Sequence, residues 1–579
     1  MKKKKKIYIS IKIIIVGVMF GLMFTAIVAK AVWLQAYKHA ELSKRAAKEY
    51  QSYITVIGKR GTIYDKNGIE LAATTDEISI SANPYKIKNK KETAAKIGKI
   101  LNISPKTLLK KLNSKNKFVW IKRQSSPRHA KNIKQTNIAG INFLPEHTRF
   151  YPNKTLAGQI IGLSGLNGKG LEGIELYYHD YLKGEKKKIT GKKDGKRKWF
   201  AFNEEGNFQT KTAGNDIILT IDKTVQFITA RALKEAADKH KAKSGIAVVA
   251  DSKTGAILAI ANYPFFNPNI YNKFPKKVWR NRAVTDSFEP GSIMKMFLVS
   301  AAIESGLCTE HTVFFCENGR YRIGKNVIHD IHKYEDLTVA DIIKFSSNIG
   351  ASKISETIGE ETLYNSLLNF GFGEKTGIDY PGETPGVLYP FRRWAKIDAA
   401  TIAFGQGISV TAVQLVAAAS AIANGGTLMK PYIVDSIIGK NGEIIKKIHP
   451  EQIRRAVSEE TAEIVRNLLN RATQEGGTGV RASSNIYEVC GKTGTAQKVS
   501  EAGYEKGKYV SSFLGFAPAE DPKLTILISL DEPTNKYYGG IVASPAFGRI
   551  VREALDYLNV PSKKKIQKIT ASINKEPIG

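Results

Sequence analysis

The stretch Glu289-Pro290-Gly291-Ser292-Ile293-Met294-Lys295 leads into the apolar run Met296-Phe-Leu-Val-Ser-Ala-Ala302. Pro290 and Gly291 punctuate the chain, and the run behind them has a helical pattern. Ser292 therefore opens a helix predicted over 293–304, with Lys295 three residues on along the same face. The Ser292 N–H belongs to the free amides of the helix start, which suit a developing oxyanion. Lys295 can take the hydroxyl proton, provided burial or a second cation lowers its pKa. This is acyl-transfer chemistry on serine that needs none of the nine His. Alone, Ser-x-x-Lys is weak evidence, because it recurs at Ser114/Lys117 and Ser562/Lys565 in polar, Lys-rich segments.

Two further elements follow in order. Ser346-Ser347-Asn348 comes after the amphipathic run Leu337 to Phe345. A Ser346 hydroxyl can relay a proton to a leaving amine, and the Asn348 amide can hold a peptide carbonyl and fix Lys295. The rival pair Ser483/Asn485 lies in a polar turn only seven residues before the third element. That third element is Gly491-Lys492-Thr493-Gly494-Thr495. Lys-Thr-Gly also occurs at 253 and 375, in a hairpin turn and a Gly/Pro loop, but only the third carries a following Thr. A strand here offers an edge to an extended peptide, with Gly494 allowing close approach. Lys492 and the hydroxyls of Thr493 and Thr495 suit a terminal carboxylate, and the Thr495 N–H suits an oxyanion. A phosphate-binding Gly-rich loop is excluded, since position 486 is Ile rather than Gly.

The rest of the chain frames these motifs. Of 579 residues, 42% are hydrophobic and 24% charged, which fits a folded protein. Three Cys are too few for a disulfide framework, and no zinc-ligand spacing is present. The net charge of +35 is uneven. Residues 1–215 hold 43 basic and 15 acidic side chains, and residues 216–579 hold 45 and 38. A basic half first suggests nucleic acid. The N-terminus argues against it. Lys2 to Lys6 form a basic run, and Ile13 to Ala29 carry no charge. With Ala31 to Leu34 this stretch reaches the roughly 20 residues needed to cross a bilayer. We read 1–12 as a cytoplasmic tail and 13–34 as a transmembrane helix, with the body outside. A cleaved secretory signal is the other reading, because Ala29-Lys30-Ala31 mimics a cleavage site. The Lys excess then reads as a solvated surface facing anionic lipid or wall polymer.

Residues 44–215 are predicted as an irregular pedestal, with a strand at Glu77–Ala82, helices at 92–101 and 105–112, and a solvated loop at 183–198. From 216 to 560 the pattern is α+β with α/β-like character. Strands are expected near 216–222, 245–250, 256–261, 510–516 and 524–530. Helices are expected at 223–239, 338–347, 399–424, 459–473 and 546–558, and 561–579 is a basic tail. His329-Asp-Ile-His332 reads as a loop with a structural Asp330 rather than a metal pair. Cys308 and Cys316 are close enough in sequence for a disulfide to be possible, and Cys490 reads as a packing residue.

The ordered set at 292, 346 and 492 resembles the Ser-x-x-Lys, Ser-Asp-Asn and Lys-Thr-Gly motifs of penicillin-binding proteins and β-lactamases, with Ser347 in place of Asp. Over nearly its whole length the chain is similar to the class B penicillin-binding proteins, and most to the division-associated FtsI family. Arg60-Gly-Thr-Ile-Tyr-Asp-Lys-Asn-Gly68, Arg149-Phe-Tyr-Pro152 and Gly170-Leu-Glu-Gly-Ile-Glu175 resemble its pedestal motifs. Leu219-Thr-Ile-Asp222, Gly405-Gln-Gly407 and Tyr538-Gly-Gly-Ile-Val-Ala543 resemble its transpeptidase motifs, although Gln406 stands where the family often has Tyr. The resemblance implies a peptidoglycan D,D-transpeptidase that acts without metal or cofactor and is acylated by β-lactams. In it Ser292 is the nucleophile, Lys295 the base, and Ser346 and Asn348 the relay and positioning groups. Lys492, Thr493, Gly494 and Thr495 handle carboxylate, strand approach and oxyanion. Implied partners are stem peptides on lipid-linked precursor strands, an FtsW-type glycosyltransferase, other divisome membrane proteins and the cytoplasmic membrane, but no nucleic acid. An elongation transpeptidase, a β-lactamase or carboxypeptidase, and a non-catalytic β-lactam sensor are the competing readings.

Overall fold

A computed structural model describes residues 2–192, 212–483, 486–500 and 503–562. Asn485, Lys565 and most of the basic tail therefore lie outside the described residues. The chain forms two compact units, residues 1–58 with 184–213, and residues 59–183 with 214–579.

In the first unit, Lys2–Val32 is α-helical and continues through a π-helical turn at Trp33–Tyr37. Ser10–Tyr37 is the one segment among the described residues long and apolar enough to cross a membrane. Gln51–Ile57 pairs antiparallel with Lys186–Lys192, Gln51 opposite Lys192. This corrects the loop expected over 183–198, whose remainder from 193 lies outside the described residues. Lysine's weak strand preference yields where a β-branched partner run such as Ser52-Tyr-Ile-Thr-Val-Ile57 supplies the ladder.

The second unit is built on two sheets. In chain order the strands that matter are β1 (Ile63–Tyr64), β2 (Glu70–Ala82), β3 (Val119–Ser125), β4 (Ile141–Phe150), β5 (Asp216–Leu219), β6 (Ser244–Asp251), β7 (Ile257–Tyr263), β8 (Val434–Ile438), β9 (Ile444–Lys447), β10 (Cys490–Ser500), β11 (Gly503–Ala517) and β12 (Leu524–Asp531). One sheet runs β9-β8-β5-β1-β2-β3, with β4 also on β2. Strand β5, which starts at the charge step, pairs in parallel with β1, so this sheet contains strands from both sides of residue 215.

The other sheet is antiparallel and runs β7-β6-β12-β11-β10. Its apolar runs are unbroken because both faces are covered. Along β6, Ile246, Val248 and Ala250 enter one core while Ala247 and Val249 enter another. Helices α1 (Lys223–Lys239) and α2 (Ser544–Tyr557) cover one face, sending Val225, Leu233, Phe547 and Val551 into the second core. Helices α3 (Lys295–Glu304) and α4 (Ala412–Ala423) lie in the first core. Every residue of α4 is buried, as expected of a helix that is apolar all round. The single helix expected over 399–424 is instead two, Asp398–Ala403 and α4, broken at Gly405-Gln406-Gly407. Both glycines have positive φ, 84° and 77°, which closes the first helix.

The three pedestal motifs meet at Glu175, which is fully buried. Arg60 donates to its carboxylate through Nε and to its backbone carbonyl through Nη2 at 2.6 Å. Arg149 Nε donates to the same carboxylate at 2.6 Å, and the Tyr151 hydroxyl at 3.3 Å. Burial alone raises a carboxyl pKa, but Arg149 and Arg60 reverse this and leave Glu175 lowered. Glu175→Ala strands two buried guanidinium groups. We expect a loss of about 3–5 kcal/mol in unfolding free energy, measurable by urea denaturation of the detergent-solubilised chain.

Candidate active site

The nucleophile candidate sits in a short 3₁₀ turn, Gly291–Met294, and the α-helix proper begins at Lys295 rather than at Ser292. In a 3₁₀ turn residues i and i+3 eclipse, so the Ser292 and Lys295 side chains are stacked together. Lys295 Nζ donates to Ser292 Oγ at 2.9 Å. It also donates to Ser346 O at 2.7 Å, Asn348 Oδ1 at 2.7 Å and Ser346 Oγ at 3.2 Å. Lys492 Nζ reaches the same Ser346 hydroxyl from the other side, at 2.8 Å. Five of the sequence-predicted residues thus form one hydrogen-bonded cluster. Lys295 and Lys492 are both 0% exposed, whereas Ser292, Ser346 and Asn348 keep partial exposure.

The electrostatics follow from this burial. Desolvation, and then the charge of Lys492, pull the Lys295 pKa well below the ordinary ammonium value, while Asp330 opposes the shift. Burial lowers Lys492 to about 7. A neutral amine beside a hydroxyl is a proton acceptor, and a second cation nearby keeps it neutral.

The second motif is held in an unusual conformation. Ser346 ends helix α5 (Val339–Phe345) with φ 64° and ψ 39°, a left-handed geometry uncommon for Ser. Ser347 and Asn348 start helix α6 (Asn348–Ile358), with Ser347 Oγ capping Gly350 N–H at 2.9 Å. Asp330 fixes both residues. It accepts from Ser347 Oγ at 2.5 Å, Asn348 N at 2.5 Å and Ile349 N at 3.2 Å. Sequence reading gave Asp330 a structural role but not this partner. Its one clue was that Ser347 stands where the related motif carries its own carboxylate.

The third motif lies on β10, the edge strand of the antiparallel sheet. Alternation sends Lys492 to one face of β10 and Thr493 and Thr495 to the other. Thr493 Oγ1 donates to Thr478 Oγ1 at 3.2 Å, and Thr495 Oγ1 accepts from Gly539 N at 3.0 Å. Thr493 and Thr495 are therefore neighbours of the cluster along the strand rather than members of its hydrogen-bond network. Gly494 faces the nucleophile turn, and a Cβ there would lie 2.6 Å from Pro290 O. Gly291 N–H donates to Gly405 O at 3.1 Å, and the Gly407 N–H to Glu289 Oε1 at 2.9 Å. The break that ended the expected long helix thus anchors the Glu289–Ser292 segment.

Cys490, Cys308 and Cys316 are buried free thiols. Cys316 lies beside the second motif, its Sγ 3.7 Å from Ser347 Oγ.

The chain is similar to known proteins over most of its length. Residues 245–552 match the penicillin-binding protein transpeptidase domain, and residues 55–219 match the penicillin-binding protein dimerisation domain. The chain is 33% identical to the probable peptidoglycan D,D-transpeptidase PenA of Neisseria meningitidis over 96% of its own length and 94% of the relative's. It is 31% identical to the peptidoglycan D,D-transpeptidase FtsI of Escherichia coli, over 92% and 90%. It also superposes on penicillin-binding protein 3 of Mycobacterium tuberculosis, crystallised with aztreonam, with a TM-score of 0.68 and 27% identity over 88% of this chain and 98% of that one. The chain belongs to the class B penicillin-binding proteins, and FtsI is among its relatives.

Proposed function

We propose that this penicillin-binding protein cross-links peptidoglycan during septal wall synthesis, through an acyl-enzyme on Ser292. The observation that carries the chemistry is the buried Lys295 amine 2.9 Å from the Ser292 hydroxyl. Ser292 Oγ attacks the carbonyl between the two terminal D-Ala residues of a donor stem, and its proton passes to Lys295. The oxyanion is held by the Ser292 and Thr495 N–H groups. Ser346, between the two lysines, relays a proton to the departing D-Ala nitrogen. A stem amine from a neighbouring strand then attacks the ester, gives up its proton through the same relay and frees Ser292. The edge of β10 supports docking of the donor stem as an added strand. The buried Lys492 supplies positive charge for its terminal carboxylate, the Thr493 and Thr495 hydroxyls bind it, and β-lactams acylate the same serine.

In this reading 1–12 is cytoplasmic, 13–34 spans the cytoplasmic membrane, 44–215 is a pedestal and 216–560 is the catalytic domain outside. The apolar segment and the basic run before it support that orientation. Glu289-Pro-Gly-Ser292 and the Ser-Ser-Asn form of the second motif favour the division branch, with an FtsW-type glycosyltransferase and divisome proteins as partners. Depletion in the native organism tests the role. Filamentous cells are expected, and rounded cells would move the assignment to elongation. Cross-linking of lipid-linked precursor by the membrane-embedded chain tests the reaction. Hydrolysis of stem or β-lactam without cross-linking would favour a carboxypeptidase or lactamase.

A further inference from the structure

The 58 residues between β2 and β4, 83–140, carry sixteen Lys and Arg against one acidic residue, Glu92. They form helices α7 (Lys90–Leu101), α8 (Pro105–Leu112) and α9 (Pro127–Gln135) together with β3. This head closes its own core around Ala94, Ile97, Leu101, Leu108, Leu112 and Ile133. Each helix turns its apolar side into that core and its basic side outward, with Lys96, Lys99, Lys106, Lys110, Lys131 and Lys134 exposed. Lys96 pairs with Glu92, and Arg123 with Glu146 of β4. The other basic groups of the head have no ion pair among the described residues.

A surface that only needs solvation mixes both signs of charge. A field of one sign repels itself and weakens the fold, but it gathers anions. We infer that the head binds a flexible, linear polyanion carrying one phosphate per repeat, of the polyol-phosphate wall-polymer class. The inference rests on the proposed extracytoplasmic placement of the body, where nucleic acid is absent. Insertion into a bilayer interface needs an unpartnered apolar face, which leaves a lipid surface charge attraction alone. Here the three apolar faces are already used, and the charges are spread over three helices. A flexible chain can follow such a path, releasing counterions as it binds.

The test uses the full chain in phosphatidylcholine nanodiscs, titrated with fluorescent poly(glycerol phosphate) between 50 and 200 mM NaCl. Reversal of Lys91, Lys99, Lys106 and Lys110 to Glu should weaken binding at least tenfold. It should also flatten the slope of log affinity against log salt by about three, at roughly 0.7–0.9 per lost phosphate contact. The same four positions as Gln should give a smaller loss in the same direction and guard against a folding defect. Reversal of the exposed Lys273, Lys276, Lys277 and Lys396 should change affinity less than threefold. Equal loss in both reversal sets, or none in the head set, overturns the proposal. So does loss of polymer binding when the nanodiscs contain 30% phosphatidylglycerol, which would assign the head to the bilayer. β-Lactam acylation at Ser292, measured on each variant, should be unchanged. Its failure would strike the catalytic reading, whereas failed polymer binding with normal acylation strikes only the head.

Discussion

Ser292→Ala is expected to lower release of D-Ala and formation of cross-links by at least about 10⁴-fold, with stem peptide still bound. The expectation rests on the geometry of one hydroxyl. Ser292 Oγ contacts the buried Lys295 amine, and Ser346 is the other hydroxyl that this amine reaches. Ser346 is held between two lysines at the end of a helix, where it suits proton transfer better than attack. In the proposed reaction, removing the group that forms the covalent intermediate deletes the step itself, so the expected loss exceeds the ~10²–10⁴-fold usual for a general base. Single-turnover assays on a stem peptide ending in D-Ala–D-Ala separate binding from chemistry. Ser346→Ala should leave a slow but measurable reaction. If Ser292→Ala retained more activity than Ser346→Ala, the two roles would have to be exchanged.

The second large effect concerns the two buried lysines. Lys295→Met should reduce the rate of β-lactam acylation by about 10²–10⁴-fold, the range for loss of a general base. In the parent protein the rate should fall toward acid pH as Lys295 takes up a proton, because only the neutral amine accepts the serine proton. It should also fall above pH about 7 as Lys492 loses the charge that attracts the carboxylate of the β-lactam. Lys492→Arg keeps that charge at every accessible pH. The alkaline limb should therefore move upward in this variant while the acid limb remains. Acylation rates from pH 5 to 10 decide the matter. An alkaline limb unmoved in Lys492→Arg would remove Lys492 from the role of anion-binding cation.

Much of the clustering at this candidate site was legible in the sequence because its members lie in short motifs in a fixed order. Ser292 and Lys295 are local to one turn, and strand alternation along 490–500 is a local property too. The apolar runs of β6 and β12 also announce a sheet covered on both sides. What the sequence did not reveal depends on contacts between distant segments. Asp330 joins Ser347 and Asn348 only because a loop folds back on the start of a helix, and nothing near 330 signals that approach. The break at Gly405–Gly407 was missed because the small, apolar residues on either side keep a helical pattern through it. Gly405 acts by packing on Gly291, and Gly407 by donating its N–H to Glu289, both more than 100 residues away in the chain. The Lys186–Lys192 strand was hidden by its composition, since backbone pairing with Gln51–Ile57 decides its state.

On the proposed mechanism the Lys295 contact makes Ser292 the residue that a β-lactam acylates. Intact-mass analysis of the detergent-solubilised chain with a β-lactam, with Ser292→Ala and Ser114→Ala beside the parent, tests this assignment. One stable adduct per chain is expected in the parent and in Ser114→Ala, mapped to the peptide that contains Ser292, and none in Ser292→Ala. An adduct that persists in Ser292→Ala, or a parent that takes up no drug, would contradict it.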